Sequence, residues 1–267
     1  MSSSHREGED RMILYFSATG NTQYVADCIA KATKDTVVSI RNCMHDKRYS
    51  FHLQDNESLG ILMPTYFQGM PLFLQEFVEK LTVTMEGAEH YAYAVATCGV
   101  NYGNFGSEAV RTAKKAGIHL DATFCIHMVD NWNPYFDMTD KEYIEKAERN
   151  AEADIAKICT SIVNREKGVY LEDNFNQNKE KELAVSYEES RKTELFKVSD
   201  SCINCGVCTR QCPAGAIGMK NERPIWIKEK CFLCLGCVHK CPRNAIAYTE
   251  ATIGHGQYTN PHVTEIL

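Results

Sequence analysis

The sequence predicts an α/β chain: a parallel sheet covered by helices on both faces, followed by a small, separate cysteine-rich unit. Three observations carry this. From residue 12 to 165, short and nearly continuous apolar runs alternate with segments of helical period, the pattern of strands buried on both faces. Eight of the thirteen cysteines fall between Cys202 and Cys241. Those eight form an internal repeat whose halves are offset by 29 residues, Cys202 to Cys231.

The elements follow in order. MILYF (12–16) is a strand, met at once by the small polar residues Ser17 to Thr22. Residues 21–33 place Tyr24, Val25, Cys28 and Ile29 near helical spacing. Residues 36–40 and 60–64 are short apolar strands. Residues 71–81 are a helix with Pro71 suited to its first turn. Residues 91–97 read as a buried strand, 107–117 as a helix ended by Gly117, and 119–129 as a further strand. Residues 139–163 form a long amphipathic helix that Thr139 or Asp140 can cap. The segment 166–196 turns charged and Asn-rich, and reads as a partly helical linker leaning on a neighbour. Residues 197–250 are the cysteine unit, too small to rely on an apolar core without staples. The start, 1–11, is expected to be disordered, and the tail, 251–267, extended or mobile.

Composition excludes several classes. Lys plus Arg number 29 against 35 Asp plus Glu, a net charge of −6 that argues against nucleic acid as a partner. No apolar run approaches the roughly 18 residues of a membrane span, and the polar start has no secretory pattern. A cytoplasmic location is therefore expected, and cysteines this dense read as metal ligands rather than disulfides.

Each half of the repeat reads C-x2-C-x2-C-x3-C-P. Three thiolates spaced this closely, on a turn containing Gly206 or Gly236, can converge on one iron–sulfur cubane. Pro213 or Pro242 then turns the chain away after the fourth cysteine. Zinc ribbons are the competing reading, although structural zinc sites usually draw on two cysteine pairs rather than a triplet and a distant fourth. The repeat resembles bacterial two-cluster ferredoxins, a small α+β fold in which the fourth cysteine ligates the other cluster. That resemblance implies one [4Fe–4S] cluster on Cys202, Cys205, Cys208 and Cys241, and a second on Cys231, Cys234, Cys237 and Cys212.

Three loops follow successive strand candidates: 17–22, 64–71 and 97–106. The first offers hydroxyls and amides at a helix start without Lys or Arg, which suits a single terminal phosphate; an ordinary helix cap is the plainer alternative. The other two combine aromatic residues with glycines at strand ends, where open α/β sheets bind ligands. Together the loops resemble flavodoxin, which implies a doubly wound five-stranded sheet in the order 2-1-3-4-5 with FMN at the switch point. By motif position, Ser17, Thr19, Gly20, Asn21 and Thr22 would hold the FMN phosphate. Thr65, Tyr66, Phe67 and Gly69 would line one side of the ring system, and Cys98, Gly99, Tyr102, Gly103 and Asn104 the other. The aromatic stretch 130–136 reads as a lid, an interface or packing filler. Cys28, Cys43, Cys125 and Cys159 read as small core residues, and His127 and His239 have no ligand-like spacing.

The whole arrangement resembles the fused flavodoxin–ferredoxin proteins of anaerobic bacteria and archaea. The resemblance implies electron transfer between two clusters and FMN, exchanged with soluble redox partner proteins. A second reading, FMN-dependent reduction of a small-molecule acceptor fed by the clusters, belongs to a different class. A zinc-bearing interaction module without flavin is the third.

Overall fold

The computed structural model describes residues 12–87 and 89–264; the expected disordered start lies outside the described residues. The first part of the chain runs β1 (Met12–Tyr15), α1 (Asn21–Thr33), β2 (Thr36–Ser39), α2 (Ile40–Asp46), β3 (Ser50–Leu53) and β4 (Ser58–Pro64). It continues through α3 (Leu72–Glu79), β5 (Thr82–Met85), β6 (Tyr91–Cys98), α4 (Phe105–Lys115), β7 (Ala122–His127) and α5 (Lys141–Val163). Five strands pair in parallel in the order β2-β1-β4-β6-β7. Counted along this sheet alone, that is the expected 2-1-3-4-5, so the order reverses between β1 and β4 and opens a crevice at their carboxyl ends. This is a flavodoxin-like α/β fold.

The two faces bury different residues. All eight residues of β6 are buried, as a central parallel strand requires. On one face, Val25, Ala26 and Ile29 of α1 meet Ala151, Ile155, Ile158 and Ile162 of α5. On the other, Phe73, Leu74 and Phe77 of α3 meet Phe105, Ala109 and Ala113 of α4. Each large apolar side chain buried this way contributes roughly 1.5–3 kcal/mol. Asp140 caps α5, its side chain accepting the Tyr143 N–H at 3.0 Å.

Three elements lie outside the sequence expectation: α2, β3 and β5. The two strands are four residues each and pair in parallel only with each other, beyond the main sheet. In α2 only Ile40 and Cys43 are buried, too few for a periodic signal.

The second part runs α6 (Gln177–Ser190), β8 (Phe196–Val198), α7 (Val207–Arg210), β9 (Ile217–Lys220), β10 (Arg223–Trp226), α8 (Gly236–His239) and β11 (Ile246–Tyr248). Two antiparallel ribbons, β8–β11 and β9–β10, flank two single-turn helices. The repeat is visible in the backbone: Asn204 and Leu233, Gly206 and Leu235, and Gly215 and Asn244 form pairs 29 apart that all take positive φ. The turn position of the second half is therefore Leu235 (φ 51), not Gly236, which opens α8.

The described part of the tail is packed. Tyr258 and Asn260 are buried, and the Asn260 amide donates to the Thr19 carbonyl at 2.8 Å. The segment read as a linker is also anchored. The Arg191 carbonyl accepts the Cys231 N–H (3.0 Å), and its Nε donates to the Cys231 carbonyl (2.7 Å).

Candidate cofactor and cluster sites

No side chain caps α1. Its N-cap is Gly20, left-handed at φ 103, whose N–H donates to Ser17 Oγ at 3.0 Å. The first-turn amides of α1 thus face an uncapped helix end, a natural anion site. Around it, Thr22 Oγ1 shares a 2.7 Å hydrogen bond with Thr97 Oγ1, and Asn131 Nδ2 donates to Thr19 Oγ1. Asn21 is held by three partners that the motif does not reveal. Its Nδ2 donates to the Val129 carbonyl, and its Oδ1 accepts from Tyr258 Oη (2.8 Å) and Asn260 Nδ2 (3.1 Å).

This loop opens into a cavity of about 450 Å³, within the usual range of small-molecule sites. Of the expected residues, Ser17, Thr19, Asn21, Thr22, Thr65, Tyr66, Phe67, Cys98 and Gly99 line it. Tyr66 lines this cavity, and its hydroxyl is buried without a hydrogen-bond partner among the described residues, beside Cys234, Tyr187 and Cys231. Phe67 and Gln68 are both left-handed at the tip of a two-residue turn closed by Tyr66 and Gly69. That turn drives Phe67 against Trp132 (5.6 Å between ring centroids) and Tyr187 (5.4 Å).

Five expected residues lie off the lining, and each has another task. Gly20 sets the helix start. Gly69 leaves room for the Glu108 carboxylate, which a Cβ would meet at 2.9 Å. Gly103 does the same for the Gln68 carbonyl. Tyr102 packs into the α3–α4 core. Asn104 ties down the segment before α6, trading hydrogen bonds with the Phe175 carbonyl (3.1 Å) and amide (3.0 Å).

The stretch 130–136 supplies much of the remaining wall through Asp130, Asn131, Trp132, Tyr135 and Phe136. Burial pushes the Asp130 carboxyl up, against the Trp132 and Val100 amides that hydrogen-bond it. A Cβ on Gly99 would meet this carboxylate at 2.1 Å, so glycine makes the approach possible. Leu183 of α6 and Leu233, Cys234 and Leu235 of the cysteine unit complete the lining.

The cysteines gather as two sets. Cys202, Cys205, Cys208 and Cys241 line one small cleft with Pro224, Pro242 and Ile246. Cys212, Cys231, Cys234 and Cys237 form the other. There burial first, and then the neighbouring thiols Cys231 and Cys212, push the Cys234 thiol up to about 12, against the Gly236 amide that lowers it. Cys237 is pushed up in the same way by burial and by Cys234, Cys231 and Cys212. Thiols this close and this buried keep their protons unless a cationic centre takes their place, which is the chemistry an iron cluster supplies. Backbone amides already point at sulfur: Ala216 to Cys212 (3.3 Å), Ala245 to Cys241 (3.2 Å) and Leu233 to Cys231 (3.2 Å). The first two are equivalent across the repeat. The thirteen cysteines are all free thiols, and no described helix is long and apolar enough to cross a membrane.

Comparison with known families gives two matches: a flavodoxin domain over residues 12–116 and a 4Fe-4S dicluster domain over residues 201–246. In this order they match a flavodoxin–ferredoxin fusion. Among solved structures, the chain is similar to a flavodoxin from the domain Archaea at 16% identity, covering 57% of this chain and 99% of that one with a TM-score of 0.34. It is also similar to a Streptococcus pneumoniae flavodoxin (17%, 55% and 98%, 0.31). The third is the rubredoxin oxygen:oxidoreductase of the anaerobe Desulfovibrio gigas (14%, 57% and 37%, 0.33). The search of curated proteins returns no match. The two family matches imply FMN and iron–sulfur clusters, and with them an electron-transfer flavo-iron–sulfur protein.

Proposed function

We propose that the chain relays low-potential electrons between two [4Fe–4S] clusters and one FMN, and exchanges them with soluble redox partner proteins. The observation that carries this reading is a shared wall. Leu233, Cys234 and Leu235 of the cysteine unit line the same cavity as Ser17, Thr19 and Thr22 of the phosphate-type loop. When bound, FMN exchanges one or two electrons, whereas an iron–sulfur cluster exchanges one. The chain's residues have distinct tasks in this scheme. Ser17, Thr19, Thr22 and the first amides of α1 hold the phosphate. Tyr66, Phe67, Trp132 and Gly99 shape the ring site and exclude water from it. Cys202, Cys205, Cys208 and Cys241 hold the cluster nearer solvent, and Cys212, Cys231, Cys234 and Cys237 hold the one beside the cavity. One polypeptide then makes the transfer intramolecular, which raises effective concentration.

We divide the chain accordingly into an FMN domain (12–165), a connecting segment (166–196), a two-cluster domain (197–250) and a bracing tail (251–267). A cytoplasmic setting is part of this proposal, because thirteen cysteines without a disulfide among them suit a reducing compartment. A second reading, reduction of a small organic substrate at the same cavity, draws support from Asp130: burial holds this carboxyl toward its protonated form on the lining, where a proton would be needed.

Anaerobically prepared protein is expected to carry about eight irons and one flavin per chain. Under stepwise reduction, reduced clusters should bleach the yellow chromophore. Clusters that stay reduced beside a yellow flavin overturn the relay. Reoxidation by a small molecule without any partner protein would instead favour the reductase.

A further inference from the structure

We propose that Cys98, Cys125 and His127 form a binding site for a soft, thiophilic cation of the zinc class, separate from the two four-cysteine sites. Strand register brings them together. In the parallel pairing of β6 with β7, Cys98 lies opposite His127, and Ala96 opposite Cys125. Residues 125 and 127 share one face of β7 because side chains alternate, and Cys98 faces the same side from β6. Their ligating atoms all lie within 4.8 Å of one another, and the two Sγ atoms are 3.2 Å apart, one thiol donating to the other.

The donor set decides the ligand class. Two thiols and an imidazole suit zinc or another soft cation, and disfavour magnesium or calcium. Thiolates bound to one zinc at about 2.3 Å sit roughly 3.8 Å apart in a tetrahedron, so the observed pair needs to open by only about half an ångström. Three protein ligands leave the fourth position open, as in sites that exchange ligands. A disulfide fits less well, because Cys125 is diagonal to Cys98 across the two strands rather than its register partner.

Access is graded along the triad. His127 is exposed, Cys125 half-buried and Cys98 buried at the edge of the large cavity. β7 is an edge strand, so a cation reaches His127 from solvent without crossing the core. Its occupancy would fix the Cys98 side chain on the cavity wall.

The test uses full-length protein prepared anaerobically with its iron and flavin, treated with zinc chloride, desalted and analysed for metals. We expect one added zinc per chain with iron and flavin unchanged. Cys125→Ser and His127→Ala should each need at least about tenfold more free zinc for half-occupancy. Zinc should also slow alkylation of Cys125 by iodoacetamide at least about tenfold in the parent chain but not in His127→Ala. Equal zinc retention by the parent and both variants overturns the site, as does no retention. Zinc uptake matched by iron loss overturns it as well, by assigning the metal to the cluster cysteines. A chain lighter by two hydrogens, with Cys98 mapped to Cys125, replaces the cation with a disulfide.

Discussion

Cys205 faces solvent, and Ile203 beside it is 57% exposed. At the equivalent positions 29 residues on, Cys234 lines the large cavity, and Phe232 stacks on Phe73 of α3 at 4.0 Å between centroids and 3° between planes. Cys231 is 8% exposed and held at both backbone groups by Arg191. The two halves of the repeat thus share their spacing and their sulfur-directed amides, yet one is a surface and the other an interface. Ligand spacing specifies that a cluster can form. The residues between the ligands specify what it faces, and burial with hydrogen bonding then tunes its potential.

The largest expected effect separates the two cysteine sets. Cys205→Ser and Cys234→Ser should each lower iron from about eight to about four per chain. Only Cys234→Ser is expected to slow electron exchange between the remaining cluster and the flavin, by at least about a hundredfold in anaerobic stopped-flow, because the cluster it removes is the one beside the cavity. Cys205→Ser should mainly slow reduction by an external partner. If the two variants exchange these phenotypes, the solvent-facing and cavity-facing assignments are reversed.

Next in size is the pair between the first two ligands of each half. Phe232→Ala removes a stacked ring that plugs into the α3–α4 core. Because the ring is only partly buried, a cost of about 2 kcal/mol is expected, below the usual range for a core aromatic. Ile203→Ala, at an exposed position, should cost less than about 0.5 kcal/mol. Denaturation midpoints of the two holoproteins measure the contrast. Equal losses would mean that the second half does not rest on the first domain as described.

Much of this was legible in the amino-acid order. The five sheet strands announce themselves as apolar runs, because a strand covered on both faces has no polar side to show, and their loops mark the crevice. β3 and β5 escape because a four-residue pair at the margin carries no period. Long-range ties escape for another reason: Tyr258 and Asn260 reach Asn21 across more than two hundred residues, and Leu183 reaches the cavity from a segment that reads as a polar linker. The triad at Cys98, Cys125 and His127 exists only through register, so spacing alone assigns Cys125 to the core and leaves His127 without a role. One signal was present and easily misread. In the aligned halves, Gly206 matches Leu235, and Gly236 matches Val207.

That displaced glycine gives the smallest predicted effect and the most specific one. A Cβ at Gly236 would lie 3.5 Å from the Ala18 carbonyl oxygen and 3.8 Å from the Ala18 Cβ, both ordinary contacts. Gly236→Ala should therefore bind flavin as the parent chain does. Valine adds two methyl groups beyond a Cβ that already touches the Ala18 backbone and the Cys234 sulfur, an overpacking worth about 1–3 kcal/mol. Flavin affinity in Gly236→Val should fall by about tenfold, the equivalent of about 1.4 kcal/mol. Iron content should stay constant, since the position holds no ligand. Val207→Gly, the reciprocal change in the first half, should leave flavin affinity where it was, because that turn touches no part of the cavity lining. Equilibrium flavin titration of the three variants reads the contrast directly. An unchanged Gly236→Val would show that the cysteine loop and the phosphate-type loop can part without loss, and the shared wall would no longer explain how the two sites communicate.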